Sequence, residues 1–205
     1  MSRAVSEGVF SGGYVSFSKL YWLKSIEQLR LARRSTAPPA EVGAAVATCI
    51  LLGFAAAEAY VAEMPLLEGR LRGVDPNKAE IVSRQVEKRG LEEAIASVAD
   101  RNERKLPWKR ELKCLRELRN ALVHFDVAYR MLDEWPKRLT DCSCRQIIEG
   151  WDSGPHDWTS QLTIAPVAGW SVVTVRQGLE KLHQFIGGKS PWTNGIPEVW
   201  TWPAA

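Results

Sequence analysis

The hexapeptide Arg-Asn-Ala-Leu-Val-His, residues 119–124, brings together side chains that are suited to chemistry. An imidazole exchanges protons near neutral pH. A guanidinium keeps its charge and offers paired hydrogen-bond donors to an anionic group. The spacing places Arg119, Asn120 and His124 within two turns of any helix that contains them. What this segment can do depends on the elements that position it.

A helix over about Pro107–Tyr129 explains the surroundings of the hexapeptide. At helical spacing, one apolar stripe faces the core and consists of Leu115, Leu118, Leu122 and Phe125. Asn120 and His124 point away from that stripe, together with Val123 and Val127. Apolar residues outside the core stripe predict that another surface packs over them. A second copy of the same helix is the simplest candidate, because most soluble oligomers are symmetric dimers.

The start of this helix and the segment before it are rich in positive charge. Residues 101–119 contain eight basic and three acidic side chains, although the net charge of the whole chain is only +3. Such a cluster concentrates a polyanion such as RNA near it, or it forms a solvated face with internal ion pairs. The candidate RNA-binding residues, besides Arg119, are Arg101, Arg104, Lys105, Lys109, Arg110, Lys113 and Arg116.

The other periodic segments predict an all-α bundle of four to five main helices. The first covers about Phe17–Arg34, with an apolar stripe of Leu20, Leu23, Ile26, Leu29 and Leu31. The second covers about Ala40–Met64. Its 16 uncharged residues, 42–57, are too few for a membrane span, so it is expected at the centre of the bundle, buried on nearly all sides. A third covers about Asn77–Asp100, with a possible interruption at Gly90, and a final helix covers about Ser171–Ile186.

The chain divides into a flexible lead-in at 1–16, a single helical domain at 17–190 and a Trp/Pro-rich tail at 191–205. Residues 133–169, an insertion before the last helix, are expected to be irregular. Seven of the nine tryptophans follow residue 130. Because tryptophan covers a large apolar area, this region is expected to fold over the bundle, and stacking on unpaired bases is the second interpretation.

The hexapeptide resembles the signature of the HEPN superfamily, in which an Arg, a polar residue, a few variable residues and a His lie late in a helix of a small bundle. A second resemblance lies in Phe54-Ala-Ala-Ala-Glu58-Ala-Tyr60-Val, which is similar to the acid-bearing apolar helix that faces this motif in prokaryotic HEPN domains. In those relatives an Asn often follows the aromatic residue by two positions, whereas this chain has Ala62. The resemblance covers about Phe17–Tyr129 and extends to the last helix, and it implies a HEPN-like up-and-down bundle.

The resemblance implies a homodimeric, metal-independent endoribonuclease in which the RNA 2′-hydroxyl is the nucleophile. It then assigns proton transfer to His124, phosphate and transition-state binding to Arg119, and orientation of either to Asn120. Glu58 is expected to hold Arg119 or His124 in place, or to form a simple structural salt bridge. Such a protein would be a toxin or phage-defence effector with a possible cognate antitoxin. The alternative is a HEPN-fold adaptor that binds RNA, nucleotide or protein without cleaving.

No cofactor, metal or membrane partner is expected. Cys142 and Cys144 with His156 and Asp157 lack the second ligand pair of a structural zinc site. The cysteines show no disulfide spacing, and no signal peptide is apparent, so a cytoplasmic location fits best. His183, flanked by Leu179, Leu182 and Ile186, is expected to be a hydrogen-bonded core residue rather than a catalytic one.

Overall fold

A computed structural model describes residues 10–11, 14–34, 36–67, 71–99, 107–123 and 164–190, with Cys144 and Ile147. Helices dominate this part of the chain, and the predicted all-α class is confirmed. We number the α-helices α1 (Phe17–Ala32), α2 (Pro39–Glu63), α3 (Pro76–Arg89), α4 (Leu91–Val98), α5 (Pro107–Val123) and α6 (Ala165–Ile186). A 3-10 helix, Met64–Leu67, follows α2. Within the predicted lead-in, β1 (Phe10–Ser11) and β2 (Tyr14–Val15) pair antiparallel.

Helix α2 is the central element, as predicted, because it packs against each of the other five helices. Val46, Phe54 and Val61 on it are fully buried. Pro39–Leu67 is long and apolar enough to cross a membrane by length and composition, which a core helix of a soluble bundle also satisfies. The expectation of burial on nearly all sides was wrong, since Ala62 is exposed and Leu51 is only half-buried. One face of α2 therefore has no helix packed over it in the described part of the chain.

Helices α1 and α2 run antiparallel and approach closely through small side chains. Ser25 donates a hydrogen bond to the carbonyl of Cys49 at 3.0 Å. A β-carbon added at Gly53 would lie 3.0 Å from the Ser25 hydroxyl. The predicted stripe of α1 was therefore partly wrong. The face toward the core contains Ser18, Trp22, Ser25, Ile26, Leu29 and Ala32, whereas Leu20 and Leu23 are exposed.

The first turn of α1 is completed by a carboxylate from the far end of α2. Buried Glu63 accepts hydrogen bonds from the backbone amides of Phe17 and Ser18 at 3.0 and 3.2 Å. Its other oxygen accepts from the hydroxyls of Ser16 and Ser18 at 3.1 and 2.9 Å. Two of these four bonds satisfy amides that a helix start leaves without partners, and all four fix the end of α2 against the start of α1.

The predicted interruption at Gly90 is present and separates α3 from α4. Gly90 has φ +85°, a conformation that side chains with a β-carbon rarely adopt. Its neighbours leave little room, because an added β-carbon would lie 2.9 Å from a guanidinium nitrogen of Arg116. The chain turns here so that α4 can pack against α5 and α6 as well as against α3.

Helix α6 begins at Ala165, earlier than predicted, so the expectation of irregular structure across 133–169 was wrong for residues 165–169. Pro166 lies in the first turn of α6, where a missing amide costs nothing. The Trp170 side chain is buried, and its indole nitrogen donates to Glu111 on α5 at 3.0 Å. The other tryptophans after residue 130 lie outside the described residues.

The end of α6 contacts the start of α3. Gly187 forms an isolated bridge with Val74, and the Asp75 amide donates to the Ile186 carbonyl at 2.7 Å. One turn before this junction, buried His183 accepts from or donates to the Tyr60 hydroxyl at 2.8 Å and contacts the Gly187 carbonyl at 2.9 Å. The prediction that His183 is a hydrogen-bonded core residue is confirmed.

Candidate functional site: the Arg119 cluster

Arg119 lies near the end of α5 and faces α2. One terminal nitrogen of its guanidinium donates to the Glu58 carboxylate at 2.9 Å. The other terminal nitrogen donates to the Asn120 side-chain oxygen at 2.9 Å. The structure thus brings together three of the four site residues that the sequence predicted, and the expected contact of Glu58 is made with Arg119. We call Phe54, Glu58, Arg119 and Asn120 the Arg119 cluster.

The ring of Phe54 lies against the guanidinium of Arg119 and completes the cluster. The central carbon of the guanidinium lies 5.4 Å from the ring centroid, within the range of a cation–π contact. Phe54 is itself fully buried, so the ring is a fixed surface. Glu58 and Asn120 restrict motion of the guanidinium within its own plane. Phe54 restricts its motion perpendicular to that plane.

The Arg119 cluster is reachable from solvent. The side chains of Arg119 and Glu58 are each 29% exposed. A guanidinium has five N–H donors, and two of them are engaged by the described residues. Glu58 offsets the charge of Arg119. An anion that reaches the remaining N–H groups would meet donors whose orientation is already set, which lowers the entropic cost of binding it.

Sequence reasoning assigned no role to Phe54, although the signal was present. Phe54 precedes Glu58 by four residues on α2, so the two side chains share one face of that helix. The face of α2 that presents Glu58 to Arg119 therefore also presents Phe54, one turn away. A buried aromatic at this spacing is the feature that indicates a stacked guanidinium.

His124 lies outside the described residues, which end in this region at Val123. The Val123 side chain is 51% exposed, in agreement with its predicted place outside the core stripe. The core side of the same helix is as expected, since Leu115 and Leu118 are fully buried. Leu122 of the same stripe is half-buried, and Phe125 and Val127 also lie outside the described part.

The predicted RNA-binding residues on α5 differ in how they are engaged. Arg116 pairs with the buried carboxylate of Glu92 and with Glu117, and only 26% of its side chain is exposed. Burial raises the pKa of Glu92, and the Arg116 charge opposes that rise. Because removing one partner of such a pair leaves the other charge buried, Arg116 has a structural role in the junction around Gly90.

Of the remaining bases of α5, Arg110 and Lys113 are open to solvent, whereas the Lys109 side chain is only 25% exposed. Lys109 pairs with Glu93 at 2.9 Å. Arg110 is 64% exposed and 3.7 Å from Glu111, and Lys113 is exposed. Lys113 precedes Asn120 by seven residues and therefore lies on the same face of the helix. Arg101, Arg104 and Lys105 lie outside the described residues.

A cavity of about 430 Å³ lies elsewhere, where α1 ends and α2 begins. Its lining includes Arg34, Thr36, Glu41 and Thr48. At 1.5 Å per residue along α2, Thr48 is about 15 Å from Glu58. This cavity is therefore separate from the Arg119 cluster.

Within the described ranges, no group of three or more His, Cys, Asp or Glu side chains is placed to hold a metal ion. Of the weak zinc candidates, Cys142, His156 and Asp157 fall outside those ranges, and Cys144 is buried with a free thiol. Comparisons with protein-family models, curated proteins and solved structures found no match to this chain. The functional interpretation consequently depends on the residues of the Arg119 cluster and on the resemblance of its motif.

Proposed function

We propose that this chain is a HEPN-type endoribonuclease that cleaves RNA without a metal ion. The observation that most supports this proposal is the restraint of the Arg119 guanidinium by Glu58, Asn120 and Phe54 beside an open edge. A pre-oriented cation at the point where negative charge develops is a strong source of catalysis. The sequence supplies the proton-transfer group, His124, five residues after Arg119.

The proposed reaction uses only groups of the protein and the RNA. A base removes the proton of the ribose 2′-hydroxyl, and that oxygen attacks the adjacent phosphorus. The bond from phosphorus to the 5′-oxygen breaks, and an acid returns a proton to that oxygen. The products are a 2′,3′-cyclic phosphate and a 5′-hydroxyl. Arg119 binds the phosphate oxygens as charge develops on them, and His124 of each protomer serves as base or acid.

The proposed active site is shared between two copies of the chain. Two apolar features beside the Arg119 cluster support a covering partner. Val123 is 51% exposed, and on α2 Leu51 and Ala62 share a face with Glu58 without being buried. A two-fold interface across this surface would cover these residues and bring both copies of His124 to one cleft.

RNA would approach along the face of α5 that carries Lys113 and Asn120. Exposed bases on that face, Lys113 and Arg110, supply phosphate contacts that carry no sequence information. Arg116 is not included in this path because it is engaged by Glu92 and Glu117. A cytoplasmic toxin or phage-defence effector, held inactive by a cognate antitoxin, is the biological role that we propose for such an enzyme.

The same geometry also suits a second candidate function. An Arg119 that is neutralised by Glu58 could be a purely structural ion pair, as buried and half-buried charges often are. The chain would then be a HEPN-fold adaptor that binds RNA, nucleotide or protein without cleavage. The two candidates differ in one respect that is easily measured, which is whether the purified protein breaks RNA.

The decisive experiment is cleavage of single-stranded RNA by the purified protein in the presence of EDTA. We expect cyclic phosphate ends and no cleavage of DNA, which lacks the 2′-hydroxyl. His124→Ala should lower the rate about 10²–10⁴-fold, and Arg119→Ala should be comparably severe. Arg84→Ala is the matched control, because Arg84 also pairs with a glutamate, Glu80, but on exposed α3.

The results separate the two candidate functions. Cleavage that disappears in His124→Ala and Arg119→Ala but persists in Arg84→Ala supports the nuclease. Binding of RNA or nucleotide without cleavage of any RNA supports the adaptor. Undiminished cleavage by His124→Ala would show that the activity is located elsewhere or belongs to a contaminant.

A further inference from the structure

The outer face of α1 presents an unusual combination of exposed apolar and basic side chains. Phe17, Leu20 and Leu23 are 51%, 45% and 54% exposed. They follow one another at intervals of three residues, so each lies next to the previous one on the helix surface. Leu66, 70% exposed, is three residues after Glu63, whose carboxylate caps the amide of Phe17. We call Phe17, Leu20, Leu23 and Leu66 the α1 apolar patch.

Basic side chains flank this patch and continue along α1 beyond it, and one of them, Lys24, pairs with exposed Glu27 at 2.7 Å. Residues 17–34 contain five basic side chains and one acidic side chain, a net charge of +4. The basic residues are Lys19, Lys24, Arg30, Arg33 and Arg34. Because the whole chain carries +3, all other residues together sum to −1. A partner for this face must therefore be both negatively charged and able to accept apolar side chains.

The α1 apolar patch lies on a different side of the molecule from the Arg119 cluster. Helix α1 packs on α2 and α6, whereas Arg119 reaches α2 from α5. On α1, Leu20 and Leu23 point away from Ser25, which faces α2. The two-fold interface proposed around Val123 would consequently leave this face open.

A comparison of the two basic helices indicates the kind of partner. Lys113 and Arg110 on α5 are exposed without a large exposed hydrophobic residue among them, which suits phosphates of a nucleic acid. On α1 the basic side chains share the outer part of the helix with three exposed hydrophobic residues. Apolar side chains of this type insert at the boundary of headgroups and acyl chains, while Lys and Arg contact anionic lipids.

We propose that α1 is a peripheral docking surface for an anionic lipid bilayer. Phe17, Leu20, Leu23 and Leu66 insert at the interface, and the flanking bases contact the lipid phosphates and carboxylates. The helix lies in the membrane plane and does not cross it. This inference revises the expectation of no membrane partner, which considered only spanning segments, and it is independent of whether the protein cleaves RNA.

The test is co-sedimentation of the full-length chain with two kinds of vesicle, phosphatidylcholine alone and phosphatidylcholine with about one third phosphatidylserine. We expect the wild-type protein to partition at least tenfold more strongly onto the anionic vesicles, and less strongly as salt is raised. The double variant Leu20→Ser/Leu23→Ser should reduce that partitioning about tenfold or more, because it removes inserted apolar area. Both residues are exposed, so circular dichroism should be unchanged.

Ile81→Ser is the matched control, since Ile81 is an exposed hydrophobic residue (46%) on α3. It should bind anionic vesicles as the wild type does. Three results would overturn the proposal. These are no preference for anionic vesicles, binding that is unaffected by Leu20→Ser/Leu23→Ser, and equal loss in Ile81→Ser. A change of oligomeric state in the double variant without vesicle binding would assign the face to a protein contact instead.

Discussion

The Glu58 carboxylate lies 2.9 Å from a terminal nitrogen of Arg119, although the two residues are 61 positions apart in the chain. This contact joins the central helix α2 to the helix that carries the Arg-Asn-His motif. Neither residue is needed for packing of the core, because each is 29% exposed. We therefore expect the contact to position Arg119, with consequences for activity more than for stability.

Glu58→Ala should lower kcat/KM for RNA cleavage about tenfold or more, because Arg119 loses an acceptor that fixes its orientation. Glu58→Gln retains an oxygen at the same place and should lose less. The free energy of unfolding should change by under about 1 kcal/mol in either variant, as expected for a partly exposed ion pair. Steady-state cleavage and urea unfolding check both statements. Equal activity of the two variants and the wild type would show that the contact does not position Arg119.

Phe54→Leu removes the ring beneath Arg119 while it retains a large apolar side chain. We expect the RNA cleavage rate to fall about threefold to tenfold, from loss of a cation–π contact. The free energy of unfolding should fall by less than about 1.5 kcal/mol. Ile50→Val, one turn earlier on α2 and equally buried, should cost about as much stability and leave cleavage unchanged. A parallel loss of activity in Ile50→Val would indicate a general effect of core packing.

The stability of the protein should decrease as pH falls below about 6.5, the ordinary pKa of histidine. Burial lowers the pKa of His183 in the folded state, and the hydrogen bond to the Gly187 carbonyl opposes that shift. The unfolded chain therefore binds a proton at a pH where the folded chain does not, which favours unfolding. The slope contributed by one group reaches at most about 1.4 kcal/mol per pH unit.

Urea unfolding between pH 8 and pH 5 measures this dependence. The chain has three histidines, so His183→Gln is needed to assign the effect. The variant should be less stable at pH 8, because its contacts with Tyr60 and Gly187 are lost, and its stability should vary less with pH. An unchanged slope in His183→Gln would assign the dependence to other groups.

Gly90→Ala should destabilise the protein by about 1–3 kcal/mol. The residue has φ +85°, which is strained for alanine, and the added methyl group would lie 2.9 Å from a nitrogen of Arg116. Arg116 is held by Glu92 and has little freedom to move. Lys88→Ala, two residues earlier and exposed, should change the melting temperature little. If the Gly90→Ala protein is as stable as the wild type, the backbone of the α3–α4 junction can shift to accommodate the added methyl group.

Strong periodicity and specific breaker residues were sufficient to predict most of the helices. Gly90 marks the α3–α4 junction because glycine tolerates positive φ. The start of α6 was missed because a proline such as Pro166 is compatible with the first turn of a helix as well as with a break. The orientation of α1 was also missed. Its leucines form a plausible stripe, but Ser25 and Gly53 allow the backbones to approach on another face, and that choice depends on α2.

The candidate site was predicted from side-chain chemistry and resemblance. An acid within an apolar helix predicts that Glu58 is paired, but the choice of Arg119 as its partner was left open and comes from the structure. Phe54 was not assigned because its role depends on the direction from which Arg119 reaches α2. The pairing of Arg116 with Glu92 could not be predicted from the sequence either. A charge run indicates a basic face, but only tertiary contacts determine which bases are paired internally.

The cap that Glu63 provides to α1 constrains the order in which the chain can acquire structure during translation. The amides of Phe17 and Ser18 leave the ribosome about 45 residues before the carboxylate that accepts their hydrogen bonds. A 16-residue helix is only marginally stable by itself. The nascent α1 therefore remains frayed at its start until the whole of α2 has emerged, and the two helices become stable together as one antiparallel pair.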